Sequence, residues 1–317
     1  MTFRERLRER AAGCRARLIM PEGDDARIQA AAHILQELGI AEVTVLTAER
    51  PPLLGDPRTL AVGEQLRMRR PHLVRDGVHA LELAIDPLRF AAGLVSIDEM
   101  DGCVAGAVHE SGDVVRAALW AIGMRPGVGS VSAAMYHGLP DGRIFTYTDV
   151  AVIPMPTPDA LADAASAAVL DRRALVGDEP IVAFLSYSTL GSASGDEVDR
   201  AREGFERFRA RHPDVRADGE LQLDAALVPE VAARKCPGSP VAGQANILVF
   251  PSLDAANIGY KLTERLAGAT AAGPLLQGLA RPMSDLSRGA STDDIVDVAA
   301  MVALQARATS LRLTQEP

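Results

Sequence analysis

The sequence predicts an α/β protein built largely on parallel strands. Hydrophobic residues make up 48% of its 317 residues while aromatics supply only 4%, so the core is made of Ala, Val, Leu and Ile. Apolar runs of strand length alternate with stretches of helical period, and Pro or Gly marks the junctions between them. Buried sheets flanked by helices take this composition. At this length, one long α/β domain or two smaller lobes is expected.

The elements follow in chain order. The basic N-terminal segment reads as a short amphipathic helix leading into the apolar run Arg17-Leu-Ile-Met20, which Pro21-Glu22-Gly23 ends. Ile28, Ala31, Ala32, Leu35 and Leu38 recur at helical spacing, Gly39 stops that helix, and Glu42 to Leu46 is a strand. This strand–helix–strand unit builds a parallel sheet. Residues 49–77 are rich in Pro and Arg and carry no clear period. Asp86 to Ile97 reads as helix, Gly102 to Ala107 as a small-residue strand, and Asp113 to Ile122 as helix. Asp149 to Ile153 is expected to be a strand, Asp159 to Leu175 an Ala-rich helix, and Ile181 to Ser186 a strand running into a polar loop at 188–195. A charged helix at 197–211, a unit beginning at Asp218, a strand at 245–250, a helix at 254–266 and a last helix from near Ser291 complete the alternation.

Composition narrows the function. The formal net charge of -9 disfavours non-specific binding to nucleic acid or anionic membranes. Lys235 and Lys261 are the only lysines, so the basic residues are almost all Arg, which suits two-point recognition of phosphate and carboxylate. Cys14, Cys103 and Cys236 are too far apart for a zinc site, and their odd number fits a reducing compartment. No signal peptide or membrane-spanning run is visible, so a cytoplasmic protein without a membrane partner is expected. The histidines form no metal-binding pair, and neither a nucleophile elbow nor a dinucleotide Gly-x-Gly-x-x-Gly appears.

One segment carries local chemistry. In Ser287-Arg288-Gly289-Ala-Ser291-Thr-Asp-Asp294, Ser291 and Asp294 have the spacing of a capping box, with apolar helix following. A helix N-terminus offers N–H groups and positive partial charge to an anion, and Arg288 and Ser287 sit beside it. The plain alternative is a helix cap with a solvated Arg288. Arg116, early in a helix after a Gly-rich strand end, is a second anion-binding candidate, and its alternative is an ion pair with Asp113. Ser188-Thr-Leu-Gly-Ser192 looks like an anion-binding turn, and Gly238-Ser239 could let a ligand approach the backbone. The acidic turn Pro21-Glu22-Gly23-Asp24-Asp25 could hold a cation, and the preferred reading is helix-start carboxylates interacting with the dipole; His109 is the histidine placed nearest a cleft.

Nine stretches in order make the pattern specific: Met20-Pro-Glu-Gly-Asp, Asp101-Gly-Cys-Val-Ala-Gly-Ala-Val108, Arg125-Pro-Gly-Val, Leu185-Ser-Tyr-Ser-Thr, Asp218-Gly-Glu-Leu-Gln-Leu-Asp, Pro237-Gly-Ser-Pro-Val-Ala-Gly, Asn257-Ile-Gly-Tyr-Lys261, Gly273-Pro-Leu-Leu-Gln-Gly-Leu and Asp285-Leu-Ser-Arg-Gly. With these, the chain resembles the phosphate acetyltransferases and their relatives the phosphate butyryltransferases across nearly its whole length. The resemblance implies a two-lobed, three-layer αβα fold like that of isocitrate and isopropylmalate dehydrogenases, with the active site in the inter-lobe cleft. It places the lobes at 1–145 with 285–317 and at 146–284.

It also implies reversible acetyl transfer between coenzyme A and inorganic phosphate in a homodimer, with acetyl phosphate as product, no metal, no cofactor and no covalent acyl-enzyme. Asp294 would then be the base for the thiol, Arg288 the phosphate and carbonyl-oxygen partner, and Ser287 a donor to the acyl phosphate. Arg116, Ser188, Gly238, Ser239, Tyr260 and Lys261 would bind substrate. A further family arginine corresponds to the segment from Arg67 to Arg75, without a single match. The chain departs from the family pattern at 67–86, at Ile153-Pro154, at Ala290 and at His109-Glu-Ser-Gly112, which bears on acyl preference. Transfer of a propionyl or butyryl group, or acyl-CoA binding by a silent regulatory paralogue, are the alternatives. A metal- and NAD-dependent dehydrogenase would need acidic metal-ligand runs that the sequence lacks.

Overall fold

The computed structural model describes residues 1–313. Contacts divide the chain into one unit of residues 5–126 with the chain from Leu279 on, and a second of residues 1–4 with 127–278. These boundaries correct the sequence-based ones at 145/146 and 284/285. The strand at 132–138 pairs inside the second unit, and the strand at 283–285 completes the sheet of the first.

The first unit carries a four-stranded sheet of β1 (Ala16–Met20), β2 (Ala41–Val45), β3 (Gly102–Ala105) and β10 (Met283–Asp285), in the order β10-β3-β1-β2. Every pairing is parallel, so all four carboxyl ends lie at one edge. α2 (Ala26–Glu37) buries Ile28, Ala31, Ala32 and Leu35, as its period dictates. Asp25 caps its start by accepting the Arg27 N–H at 2.8 Å. Gly39, at φ +64°, ends it, and the Ile40 N–H returns to the Leu35 carbonyl at 2.9 Å.

The aperiodic stretch at 49–77 contains α3 (Pro57–Arg69), capped by Asp56. Its buried face is only Thr59, Val62, Gly63 and Leu66, too thin a stripe to register as a period. α4 (Gly77–Ala84) and α5 (Pro87–Ser96) follow, each behind an Asp N-cap, and α6 (Ser111–Ala121) leaves the end of β3. α12 (Thr292–Leu313) is buried continuously from Ile295 to Leu304. Its Asp297, wholly buried, pairs with Arg8 at 2.6 Å, and Arg8 lies on α1 (Phe3–Ala11).

The second unit holds a six-stranded sheet in the order β7-β6-β8-β5-β4-β9. β4 (Ser132–Gly138), β5 (Ile144–Thr148) and β9 (Thr270–Gln277) pair antiparallel about β4. β6 (Ile181–Leu185), β7 (Arg216–Leu221) and β8 (Ile247–Val249) extend the sheet in parallel from β5. The helices are α7 (Pro158–Leu175), α8 (Asp196–Arg211), α9 (Leu223–Leu227), α10 (Pro229–Lys235) and α11 (Leu253–Leu266). Arg172 of α7, only 1% exposed, bonds to Thr146 Oγ1, the Asn246 carbonyl and the Ile144 carbonyl at 2.9–3.0 Å.

The strand expected at 149–153 is not one: β5 ends at Thr148. The buried Asp149 carboxylate instead accepts the N–H groups of Ala151, Val152 and Ile153 at 2.6–3.2 Å and that of Ala133 at 2.9 Å. Those amides are turned toward a side chain and cannot join a ladder.

His137 on β4 is fully buried with neither ring nitrogen bonded, between the rings of Tyr147 and Tyr260 at 4.7 and 6.1 Å. Burial pushes its pKa down to about 4 from the usual 6.5. The folded state therefore binds fewer protons than the unfolded chain between those values. The stability this confers is complete above pH 6.5 and is lost as pH falls through 4, about 3 kcal/mol in all. His137→Phe should flatten that part of the acid limb in denaturant titrations at a series of pH values. An unchanged difference between pH 7 and pH 4 would refute it.

Candidate functional site

The carboxyl edge of the parallel sheet is where ligands bind in open α/β sheets. Three turns converge there, after β1, β3 and β10. Glu22, 6% exposed, ends the first. Its Oε2 accepts the N–H groups of Gly106 and Ala107 at 2.9 and 2.8 Å, and its Oε1 those of Val108 and His109 at 2.9 and 2.8 Å. His109 Nδ1 lies 2.7 Å from the same Oε1. Burial works to raise the Glu22 carboxyl, but His109 and the backbone donors outweigh it and hold it below the usual range. Reciprocally, the bond to Glu22 raises His109 above 6.5.

Glu22 is thus a clamp on the β3 turn, which corrects its reading as a helix-start carboxylate. Asp25 alone takes the capping role. Nothing local in the sequence marks Glu22, because its donors stand 84–87 residues away.

The β3 and β10 turns are pressed together at Gly106. It has φ +106°, and a Cβ there would lie 2.3 Å from Asp285 Oδ1 and 2.6 Å from the Leu286 nitrogen, so only glycine fits. The Leu286 N–H bonds to the Ala105 carbonyl at 2.7 Å. Asp285 is 6% exposed, its Oδ1 has no partner, and burial pushes its pKa up to about 6 against a bond from Ser111. Arg27 straps the three turns. Its guanidinium donates to the Arg288 and Ala290 carbonyls at 2.9 and 2.7 Å, the Ala107 carbonyl at 3.1 Å and Asp25 at 2.6 Å.

On this platform stands the segment singled out in the sequence. Ser291 Oγ accepts the Asp294 N–H at 3.2 Å, while Asp294 Oδ2 accepts the Ser291 N–H at 2.9 Å and hydroxyl at 2.7 Å. The capping box is therefore real, and it aims the N-terminus of α12 at the turn. Ser287 Oγ accepts the Gly289 N–H at 3.2 Å. The Arg288 side chain is 68% exposed, its guanidinium 4.0 Å from Glu110. The backbone of Arg288 is thus fixed and its head is available.

Arg116 pairs with Asp113 through the i,i+3 contact foreseen as its alternative, and it also lines a pocket of about 200 Å³ with Arg89, Asp86 and His109. His109 and Glu110 are consecutive, so the pocket and the Arg288 turn share one loop.

Ser188, Gly238, Ser239, Tyr260 and Lys261 lie in the second unit. Ser188 is buried, its hydroxyl donating to Glu220 Oε1 at 2.9 Å and accepting the Ala193 N–H at 3.0 Å, so it shapes its loop and does not face solvent. Ser239 bonds to Asp218 and caps its turn through the Val241 and Ala242 N–H groups. Gly238 is open, with φ +92° and nothing within 4 Å of a built Cβ. Lys261 reaches Asn257 Oδ1 at 2.8 Å and lies 5.4 Å over the Tyr260 ring. Among the described residues, no group of three or more His, Cys, Asp or Glu is placed to hold a metal, and no helix is long and apolar enough to cross a membrane.

Fixed backbone turns at a parallel-sheet edge, exposed arginines and a capped helix N-terminus make a place suited to an anionic ligand. Comparison with known proteins agrees. The family model for phosphate acetyl/butaryl transferase matches residues 2–303. The chain is 38% identical to the phosphate acetyltransferase of Acetivibrio thermocellus, over 97% of this chain and 99% of that one. It is 40% identical to that of Treponema pallidum, over 96% and 99%. Its structure resembles a phosphotransacetylase from Streptococcus pyogenes, with a TM-score of 0.90, 35% identity, and coverage of 97% and 99%. The chain belongs to the phosphate acetyl/butaryl transferase family and is an acyltransferase.

Proposed function

We propose that the chain transfers acetyl reversibly between coenzyme A and inorganic phosphate, by direct attack in a ternary complex and without a further cofactor. The observation that carries this reading is the turn from Ser287 to Ser291, held by Arg27, that presents Arg288 beside the capped start of α12. In the direction of thioester formation, the thiol sulfur of coenzyme A bonds to the carbonyl carbon of acetyl phosphate. The carbon–oxygen bond to phosphate breaks, and inorganic phosphate leaves with the electron pair. Asp294 takes the thiol proton as the bond forms. A thiol is mostly protonated near neutral pH, and a carboxylate at hydrogen-bond distance raises the reactive fraction. Arg288 offsets charge growing on the carbonyl and phosphate oxygens, and Ser287 donates to the same group. Arg116 binds substrate phosphate. The working unit is a cytoplasmic homodimer.

Incubation of the purified protein with acetyl-CoA and phosphate should cause phosphate-dependent loss of thioester absorbance and accumulation of acetyl phosphate. No phosphate-dependent loss would refute the reading. Replacing acetyl phosphate by butyryl phosphate in the reverse assay reads the preferred chain length.

A further inference from the structure

We infer that His109, held by Glu22, is the proton donor to the departing phosphate in acetyl-CoA formation, and the proton acceptor from inorganic phosphate in the opposite direction. The inference rests on the acetyl-transfer reading and completes its proton balance.

In that reading Asp294 takes the thiol proton, and the phosphate leaves with the electron pair of the broken carbon–oxygen bond. Fully deprotonated phosphate is a strong base and a poor leaving group. A proton delivered as the bond breaks lets it leave as hydrogen phosphate. Arginines such as Arg288 and Arg116 do not give up a proton. Asp285 is buried against the bare Cα of Gly106. His109 is a side chain that changes charge near neutral pH, and its neighbour Glu110 lies 4.0 Å from the Arg288 guanidinium.

The geometry is that of a carboxylate–histidine dyad. Glu22 Oε1 meets the ring at Nδ1, 2.7 Å away, and accepts the His109 backbone N–H at 2.8 Å. One buried carboxylate therefore fixes both ring and main chain. The Glu22 carboxyl is held below its usual range, so at neutral pH it is ionised and can only accept. Nδ1 then carries a proton, and the second proton of the imidazolium sits on Nε2. The side chain is 34% exposed and lines the same pocket as Arg116. The ring can reach a ligand while its orientation is already set, as a general acid requires. Glu22 from the β1 turn, Asp86 from the start of α5 and Asp113 from α6 all raise its pKa, with Arg89 and Arg116 on the same wall. The bond to Glu22 is the largest of these influences.

The step balances. The sulfur–carbon bond forms, the carbon–oxygen bond breaks, and the Nε2 proton passes to the phosphate oxygen that receives the electron pair. The protein gains one proton at Asp294 and loses one at His109, and both groups reset with water. In reverse, neutral Nε2 takes the proton of hydrogen phosphate as its oxygen attacks the thioester, and Asp294 returns a proton to the departing thiolate.

The test measures kcat and KM against pH in both directions for wild type and His109→Asn. Asparagine keeps an N–H for Glu22 and cannot carry the proton. In the wild type, acetyl-CoA formation should fall as pH rises through the His109 pKa, because the acid is lost. Acetyl phosphate formation should fall as pH drops through the same value, because the base is lost. His109→Asn should lower kcat about 10²-fold or more both ways, erase both limbs, and leave KM for coenzyme A and acetyl phosphate within about threefold.

Limbs that run the same way in both directions, limbs that survive in His109→Asn, or a loss confined to KM would overturn the inference. If His109→Asn does not fold, the wild-type limbs decide against the ring titration followed by NMR, and kinetic and ring pKa values that disagree overturn it. Absence of wild-type turnover marks failure of the acetyl-transfer reading instead. Calorimetry of inorganic phosphate binding, in buffers of different ionisation enthalpy at mildly alkaline pH, then decides alone. Proton uptake that His109→Asn abolishes upholds Nε2 as the proton carrier to phosphate, and equal or absent uptake in both proteins overturns it.

Discussion

Asp294→Asn should lower turnover by about 10²–10⁴-fold, the usual weight of a general base, with little loss of fold. The carboxylate has two separable roles. It accepts the Ser291 N–H and hydroxyl and so caps α12, and in the proposed reaction it accepts the thiol proton. Asparagine keeps an acceptor oxygen for the cap and cannot take the proton. A weakened cap costs about 1 kcal/mol, which in a chain of this size moves the melting temperature by a few degrees. Ser291→Ala supplies the opposite separation, because it removes the reciprocal cap and keeps the carboxylate. The base assignment requires Asp294→Asn to lose activity and Ser291→Ala to keep most of it, read as kcat for acetyl-CoA formation. Equal losses in the two variants would reduce Asp294 to a helix cap.

Glu22→Gln should have the largest effect on stability, about 3 kcal/mol, with at least a tenfold fall in kcat/KM. Both carboxylate oxygens of Glu22 face only donors: Gly106 and Ala107 on one side, Val108 and His109 on the other. A carboxamide must turn its NH₂ toward one of these sets, leaving at least two N–H groups buried and unpaired. The loop that loses its anchor carries His109 and Glu110 and leads into α6 with Arg116. The damage should therefore appear in substrate binding as well as in the denaturation midpoint. The pH dependence has a defined sign. Because the Glu22 carboxyl is held below 4.5 in the fold, its contribution is present above 4.5 and lost as pH falls through the lower folded value. Glu22→Gln should abolish that limb. A variant with the wild-type midpoint near neutral pH would show that the clamp does not hold the loop.

Local pattern was a good guide wherever the chain makes its own contacts. The unit from Arg17 to Leu46 was readable because Ile28, Ala31, Ala32 and Leu35 all meet one core and Gly39 closes the helix within its own last turn. The capping box at Ser291 and Asp294 was readable for the same reason. Pattern failed where a distant group decides the backbone. The apolar residues after Asp149 suggested a strand, but the buried carboxylate gathers their N–H groups into a turn. β9 left no local trace because its pairing with β4 spans more than 130 residues. α3 escaped because few of its residues are buried.

By itself the sequence determined the α/β class and, through nine motifs in order, the family. It also located the turn at Ser287-Arg288 ahead of a capped helix. These depend on residue type, spacing and order, which a linear chain displays directly. Only the tertiary structure decided that Glu22 clamps the β3 turn, that Arg27 fixes the backbone of Arg288, that Ser188 is buried in its own loop and that Arg89 shares a pocket with Arg116. The physical reason is common to all four. Each depends on partners brought together by the packing of separate elements, so spacing along the chain carries no record of it.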